Sequence, residues 1–436
     1  MSAAIGARGL DEWLRYIDRV HPRDMDLGLD RVRSVAHQME LLPLPCRSVI
    51  VAGTNGKGST CIALEAVLRA MGARVGTTLS PHLSRFNERV RIDGVACDDA
   101  TLCAGLSEIE AARGDVPLTY FEFSALLALG CFRRAQVDIA VLEIGLGGRL
   151  DAFNVVDADI AVVTSIGLDH ADYLGASLEG IGLEKAGVFR PNQPVVISET
   201  VTDSVRDRAG ELGCAVYEHG KEFNAHLRPQ GANGERLWDF ESESGALYGL
   251  KQTALAPVNC ALAIQAAGLL SGGLTESASP ALVQALDGIT FPGRMESVIS
   301  AGRHFLLDVA HNPAAARFLA DQIAASHPGG VSVAVVGSLE DKDSAGVIAA
   351  LQGVVGEWIG VDVAPPRGVT ARVLGGRVPR DIDYLPAGSD RSALEAAYSA
   401  TDEGDVILVC GCFAVVESIR SVLPTWSPGR VAPRGE

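Results

Sequence analysis

VAGTNGKGST, residues Val51 to Thr60, follows the apolar pair Val49 and Ile50 and runs into Ile62, Leu64, Val67 and Leu68. The pattern reads as a strand, a tight glycine turn and the start of a helix. Helix-start N–H groups lack internal partners and carry partial positive charge, so this layout suits an anion. Lys57 inside the turn and the hydroxyls of Ser59 and Thr60 at its exit make a polyphosphate the first candidate. The spacing is not that of G-x-x-x-x-G-K-S/T, because Gly58 separates Lys57 from Ser59. The mechanism is the same: amides of Thr54 to Lys57 wrap phosphate oxygens, Lys57 neutralises charge, and a hydroxyl lies close to a metal.

Outward from this loop, apolar runs alternate with helix-like stretches. SVIVAG, VDIAVLEIG and ADIAVVTSIG lie in the first part of the chain, and FLLDVA, VSVAVVGSL and DVILVCGC in the last. Near-continuous Val, Ile, Ala and Leu suits strands covered on both faces, so two parallel α/β sheets are expected. Between them, from Lys221 to Gly249, the composition turns polar, and Asn233-Gly234 marks a hairpin on the edge of the first domain. Pro292-Gly293 then breaks the pattern, which places a domain boundary near residue 297. The tail SPGRVAPRGE reads as disordered.

The chain has 436 residues, 47% of them hydrophobic, enough for two or three domains. A net charge of −17 argues against a nucleic-acid or anionic-membrane surface, so cations for an anionic ligand must be local. Nine scattered cysteines, an odd number, fit a reducing cytosol. Leu10, Trp13, Leu14 and Ile17, interleaved with Asp11, Glu12 and Arg15, read as an amphipathic helix and not a signal peptide. The uncharged run Thr253 to Thr275 contains Pro257, Asn259, Gln265 and three glycines, a poor membrane span. A soluble cytoplasmic protein is expected.

Several residues fall where chemistry is done in α/β proteins. Glu143 and His170 lie just beyond strands, at the carboxyl edge where an open parallel sheet binds ligands, and could hold Mg²⁺. The same spacing is met equally by a capping glutamate and a turn histidine. The window SPHLSRFNERVRIDG gathers Ser80, His82, Arg85, Glu88, Arg89 and Arg91, either a solvated loop of charge pairs or a site for a carboxylate or phosphate. Arg294, and Asp308 with His311, stand near a second strand-to-helix junction, where Asp308 could equally make an Asx turn and Pro313 open a helix. On its helix-like segment Lys185 has the placement of a surface lysine.

The ordered set DLGLDRV, GTNGKGST, SPHLSRFNERVRIDG, TYFEF, EIGLGGRLDAFNVVD, SIGLDH, EKAGVFR, PGR, DVAHNP and DKD spans nearly the whole chain. It resembles the bacterial bifunctional dihydrofolate synthase/folylpolyglutamate synthases, members of the Mur-ligase superfamily. The resemblance implies an N-terminal P-loop-type ATPase domain of mainly parallel sheet, residues 1–297, and a smaller C-terminal Rossmann-like α/β domain, residues 298–436. It implies a ligase joining L-glutamate to dihydropteroate and to the tail of tetrahydrofolate through an acyl phosphate, with ATP consumed.

By the same resemblance, Thr54, Asn55, Gly56, Lys57, Gly58 and Ser59 bind ATP, completed by Asn259, Arg294 and Asp308. Ser80 and Glu143 hold one Mg²⁺ and His170 a second. Lys57, Lys185, His170 and Arg294 serve catalysis, with Lys185 carbamylated to N6-carboxylysine. Leu27, Gly28 and Leu29, the run Thr119, Tyr120, Phe121 and Glu122, and the loop Leu150, Asp151 and Ala152 match the family's dihydropteroate-binding segments. His311 is a candidate contact for glutamate. The implied partners are dihydropteroate, folates, L-glutamate and ATP, with no nucleic acid or membrane, and the chain a monomer. The sequence departs from the family at Phe153, where threonine is usual, and at Cys412 and Ala414 in CGCFAVV. Rival readings are a regulatory NTPase without ligation, a cell-wall Mur ligase acting on a UDP-linked substrate, and an enzyme that only extends the glutamate tail.

Overall fold

The computed structural model describes residues 8–23, 26–231, 236–275 and 278–427. The chain forms two compact units, Met1–Ile289 and Thr290–Glu436.

In the first unit, strands β1 (Arg47–Ala52), β2 (Val75–Thr78), β3 (Val90–Ile92), β4 (Val95–Ala96), β5 (Ile139–Glu143), β6 (Ile160–Val163), β7 (Pro194–Ile197) and β8 (Ala215–Glu218) form one sheet. Their order is β4-β3-β2-β5-β1-β6-β7-β8. The six strands from β2 to β8 are parallel, while β3 and β4 add an antiparallel edge. The strands are short apolar runs because both faces are covered. In β1, Ile50 and Ala52 join the core shared with helices Leu10–Ile17, Asp30–Gln38, Asp99–Arg113 and Tyr120–Ala135, while Val49 and Val51 are equally buried on the other side. Helix Lys57–Ala70 packs on that opposite side, against β1, β2 and β5.

Helix Pro257–Ser271 packs on helix Lys57–Ala70. It occupies the uncharged run, and its residues from Cys260 to Gly268 are all buried, which is why no charge is tolerated there. Among the described residues, no helix is long and apolar enough to cross a membrane. The helix expected near the N-terminus is Leu10–Ile17, with Leu10, Trp13 and Ile17 on its buried face.

The polar insertion is a sheet of its own. Strands β9 (Phe223–Leu227), β10 (Leu237–Ser242) and β11 (Gly245–Lys251) run antiparallel in the order β11-β10-β9. The expected hairpin is the β9–β10 pair, although its Asn233-Gly234 turn lies outside the described residues, as does most of the tail read as disordered. Strand β11 adds a second hairpin that the sequence reading did not include.

The second unit holds β12 (Glu296–Ser300), β13 (Arg303–Leu307), β14 (Val331–Val336), β15 (Val355–Val361), β16 (Tyr384–Gly388) and β17 (Val406–Cys410), ordered β12-β13-β17-β14-β15-β16. All pairs are parallel except the β12–β13 hairpin at one edge. The α/β class and the two mainly parallel sheets read from the apolar runs are therefore what the chain forms.

Candidate active site

Ligands of an open parallel sheet bind outside the strand carboxyl ends, where the order of strands reverses. Here β1 lies between β5 and β6, and all three end at the same edge. The glycine loop leaves β1 there. Gly53 (φ +146°) and Gly56 (φ +89°) sit in backbone conformations that L side chains rarely adopt. A Cβ on Gly53 would lie 1.9 Å from Thr164 Oγ1, and one on Gly56 would lie 2.5 Å from Asn259 Oδ1. The loop thus needs glycine twice, for backbone twist and for room. The second position brings Asn259, on helix Pro257–Ser271, against the loop.

The exit of β6 holds the loop's first half. Thr54 N–H donates to Ser165 O (2.8 Å), and Thr54 Oγ1 donates to Gly167 O (3.1 Å) and accepts from Gly167 N–H (3.0 Å). Asn55 N–H donates to Ser165 Oγ (3.0 Å), while Thr164 Oγ1 and Ser165 Oγ both donate to Asn55 O. The amides expected to wrap phosphate began at Thr54. With Thr54 and Asn55 engaged on Ser165, the amides that the loop offers begin at Gly56 and continue into the first turn of helix Lys57–Ala70.

Two lysines converge on one carbonyl. Lys57 Nζ donates to Gly53 O (3.0 Å) and Thr54 O (3.2 Å), and Lys185 Nζ donates to the same Gly53 O at 2.7 Å. Lys185 is not the surface residue its helical position suggested, being only 4% exposed. Burial first, then the Lys57 ammonium, push its pKa down to about 7, against the opposing pull of Asp169, Asp151 and Glu184. Near neutral pH it is in large part a free amine.

Glu143 ends β5, buried, with its own N–H on Thr78 Oγ1 (2.8 Å) and its Oε2 accepting from Ser80 N–H at 2.6 Å. The Ser80 hydroxyl is buried without a hydrogen-bond partner among the described residues. His170 follows β6 in a left-handed conformation (φ +51°), its N–H donating to Asp169 Oδ1 at 2.8 Å. Among the described residues there is no group of three or more His, Cys, Asp or Glu side chains placed to hold a metal.

Beside these groups lies a cavity of about 250 Å³. Leu27, Gly28, Thr119, Phe121 and Glu122 line it, as do Leu150, Asp151 and Ala152, so three separated sequence segments meet there. Ser80 and His170 line it too. Two expected members do not: Leu29 precedes helix Asp30–Gln38 and packs on the core, and Tyr120 lies edge-on to Phe86, 5.9 Å between ring centres. Thr119 and Glu122 make a reciprocal capping box at the start of helix Tyr120–Ala135, and Arg31 bridges Glu122 to Asp26. Asp151 accepts from the N–H groups of Gly145, Leu146 and Phe153, which folds the loop around it. Burial raises its pKa to about 6, and Lys57 pulls the other way, so cavity and phosphate loop share an electrostatic neighbourhood. Phe153 does not line the cavity; it is buried edge-on behind Phe121, 5.8 Å between centres.

The basic window divides. Arg85 pairs with Asp99 and Arg91 with the buried Glu65, as structural charge pairs. Arg89 lines the cavity instead, its Nε–H donating to His82 Nδ1 at 2.8 Å. Burial, then the Arg89 charge, lowers His82 to about 4, so the ring is neutral and accepts. Sequence spacing gave no means of separating Arg89 from its neighbours.

Within the second unit, Asp308 directly follows β13. Its Oδ1 accepts from Ala310 N–H (2.9 Å), the Asx turn anticipated, and its Oδ2 from Met295 N–H (2.9 Å). Burial raises its pKa, opposed by Arg294. The other two candidates both lie near Phe413: the Arg294 guanidinium is 5.6 Å from its ring centre and the His311 ring 6.2 Å away. Pro313 opens helix Pro313–Ser326 behind the Asn312 cap. Cys412 is buried at the N-cap of helix Phe413–Val422, with Ala414 in its first turn.

Two family descriptions match the chain: Mur ligase middle domain over residues 51–243, and Mur ligase, glutamate ligase domain, over residues 293–413. The dihydrofolate synthase/folylpolyglutamate synthase of Escherichia coli (strain K12) is 40% identical, covering 96% of each chain. That of Mycobacterium tuberculosis is 34% identical, over 87% of this chain and 84% of its own. A solved structure of E. coli FolC in complex with DHPP and ADP superposes with a TM-score of 0.87, at 40% identity, covering 96% of this chain and 98% of the other. A bifunctional folylpolyglutamate synthase/dihydrofolate synthase with Mn, AMPPNP and L-glutamate bound gives 0.85 at the same identity and coverage. The chain belongs to the dihydrofolate synthase/folylpolyglutamate synthase family of Mur ligases.

Proposed function

We propose that this chain is an ATP-dependent carboxylate–amine ligase that adds L-glutamate to dihydropteroate and to the glutamate tail of tetrahydrofolate, releasing ADP and phosphate. The observation that carries the reading is the pairing, within one unit, of a lysine-bearing glycine loop with a cavity lined by the three segments Leu27–Gly28, Thr119–Glu122 and Leu150–Ala152. A regulatory NTPase has no need of that cavity.

A carboxylate is a poor acylating agent, so it is activated first. One of its oxygens attacks the terminal phosphorus of ATP and ADP leaves, giving an acyl phosphate. The amine nitrogen of L-glutamate then attacks the acyl carbon, gives up a proton, and phosphate departs with both electrons of its bond to carbon. Thr54, Asn55, Gly56, Lys57, Gly58 and Ser59 hold ATP in this proposal, with Asn259, Arg294 and Asp308 completing its site. Lys57 and Arg294 neutralise charge on the transferring phosphoryl group. Leu29 and Tyr120 support the acceptor pocket from behind its wall, and His311 meets the incoming glutamate.

Ser80 and Glu143 fit a hard divalent cation, since a buried hydroxyl without a protein partner among the described residues stands beside a buried carboxylate, and His170 lines the cavity with Ser80. Mg²⁺, as one ion on Ser80 and Glu143 and a second on His170, supplies further charge neutralisation at the phosphates when bound. Glu143 is one carboxylate where such a site needs more anionic charge. Carbamylation of Lys185 replaces an ammonium with an anion, and the free amine it needs is what a pKa of about 7 provides. The compartment is proposed to be the cytosol, in keeping with nine free thiols, and the chain a monomer, on the superfamily alone.

The test is ADP release by purified protein with Mg-ATP, using dihydropteroate plus L-glutamate and, separately, tetrahydrofolate plus L-glutamate, each against omission of one substrate. Glutamate-dependent release with both acceptors is expected. Release with tetrahydrofolate alone reduces the activity to tail extension, and release indifferent to acceptor returns the NTPase reading.

A further inference from the structure

Arg89 lines the cavity and, among the described residues, is held in no ion pair; Glu143 and Glu88 act on its charge without forming one. The arginines near it are spent: Arg31 on Asp26 and Glu122, Arg85 on Asp99, Arg91 on Glu65. Among the described residues no carboxylate forms an ion pair with Arg89. Its nearest acidic neighbour in sequence, Glu88, is committed to the N–H groups of Leu83, Ser84 and Arg85. The Arg89 guanidinium lies instead over two rings, 5.8 Å from the centre of Phe86 and 5.6 Å from that of Tyr120. Burial lowers its pKa, yet an arginine so placed stays charged. A desolvated charge left unpaired is costly, so a protein that keeps one expects its partner from a ligand.

Three contacts hold the guanidinium. His82 Nδ1 accepts the Nε–H at 2.8 Å, and Phe86 and Tyr120 support the plane. That leaves the terminal nitrogens, the part of the fork that grips a carboxylate in two parallel hydrogen bonds, on a residue that lines the cavity. Ser80 lines the same cavity, and Glu143, to which Ser80 is hydrogen-bonded, is close enough to influence Arg89 electrostatically. Leu27, Phe121, Leu150 and Ala152 make another part of the lining apolar, suited to a flat ring system. A pteroate-like acceptor is apolar and aromatic along most of its length and carries its carboxylate at one end.

We infer that Arg89 binds the acceptor's reacting carboxylate, oriented by the hydrogen bond from its Nε–H to His82 and by the rings of Phe86 and Tyr120. This rests on the acceptor assignment proposed above. Two anions, the carboxylate and the terminal phosphate of ATP, must meet for activation. A guanidinium on the carboxylate removes the repulsion between them without competing for the phosphate loop.

The experiment compares Arg89→Met and Arg89→Lys with the parent chain in steady-state kinetics, and measures equilibrium binding of dihydropteroate and of its analogue lacking the carboxylate. Loss of a charge-assisted pair is expected to raise KM for dihydropteroate and weaken its binding by about 10- to 100-fold in Arg89→Met. KM for ATP and for L-glutamate should stay within about twofold, and Arg89→Lys should fall between. Binding of the decarboxylated analogue should be the same in all three proteins. Equal weakening of both ligands, or a rise confined to the KM of L-glutamate, would overturn the inference. ATP binding reports folding, and Arg89→Lys carries the comparison if Arg89→Met does not fold. His82 is a positioning residue in this account: His82→Ala should raise KM for dihydropteroate more than it lowers kcat, and His82→Asn, which keeps an acceptor, should restore it. A parent chain without glutamate-dependent turnover on either acceptor removes the proposed function and this inference together; turnover with unchanged dihydropteroate KM in Arg89→Met removes only the inference.

Discussion

The amine of Lys185 should react with carbon dioxide near neutral pH when other lysines do not. Burial and the Lys57 ammonium hold its pKa near 7, against an ordinary value of 10.5. Only the unprotonated amine attacks carbon dioxide, forming the N–C bond and losing a proton. At pH 7.5 roughly three-quarters of a group with pKa 7 is free amine, whereas for an ordinary lysine the fraction is about one in a thousand. The sign follows directly: below pH 7 the ammonium dominates and reaction slows about tenfold per pH unit, and above about pH 8 it levels off. The assay is the initial rate of the carbamate carbonyl signal in 13C NMR, with labelled carbon dioxide held at constant dissolved concentration. The chain has five lysines, so one early signal can be assigned by its loss in Lys185→Ala. Lys57→Met removes the second cation on Gly53 O and should move the plateau to higher pH. A rate that keeps rising tenfold per unit through pH 9, or a set of early signals unchanged in Lys185→Ala, would refute the reasoning.

Three further outcomes follow from the same geometry. Lys57→Ala should cut ADP release with either acceptor by at least about 100-fold, as loss of a charge-stabilising group in a phosphoryl-transfer site does, measured against unchanged thermal stability. Ser80→Ala removes a buried hydroxyl without a protein partner, so the melting temperature should hold or rise while the Mg²⁺ concentration for half-maximal activity increases several-fold. Phe153→Thr truncates a side chain that is core packing behind Phe121. Denaturant unfolding should show a loss of about 2–4 kcal/mol, with KM for dihydropteroate changing less than threefold.

The sequence made the loop around Gly53 and Gly56 legible because both the strand before it and the glycines within it are local signals. The apolar runs were legible as strands for the same reason, since covering both faces of a sheet leaves no polar alternation to obscure them. What local pattern could not supply was partnership. Lys185 reads as a surface lysine until the fold brings Gly53 O, 132 residues away, onto its Nζ. Arg85, Arg89 and Arg91 are alike in spacing, and they part company only because Asp99 and Glu65 reach two of them. Phe153 looked like a change to the pocket, and it is a change to the layer behind it. Strand β11 was missed because its partner β10 supplies the pairing, while its own residues, GALYGLK, carry two glycines.

The central claim is that a carboxylate of the acceptor is activated by transfer of the terminal phosphoryl group of ATP and then captured by the amine of L-glutamate. Dihydropteroate carrying 18O in its carboxylate tests this directly. The account predicts a product heavier by one glutamyl residue and one 18O atom delivered to the released phosphate for each amide bond formed; phosphate free of the label during amide formation would contradict it.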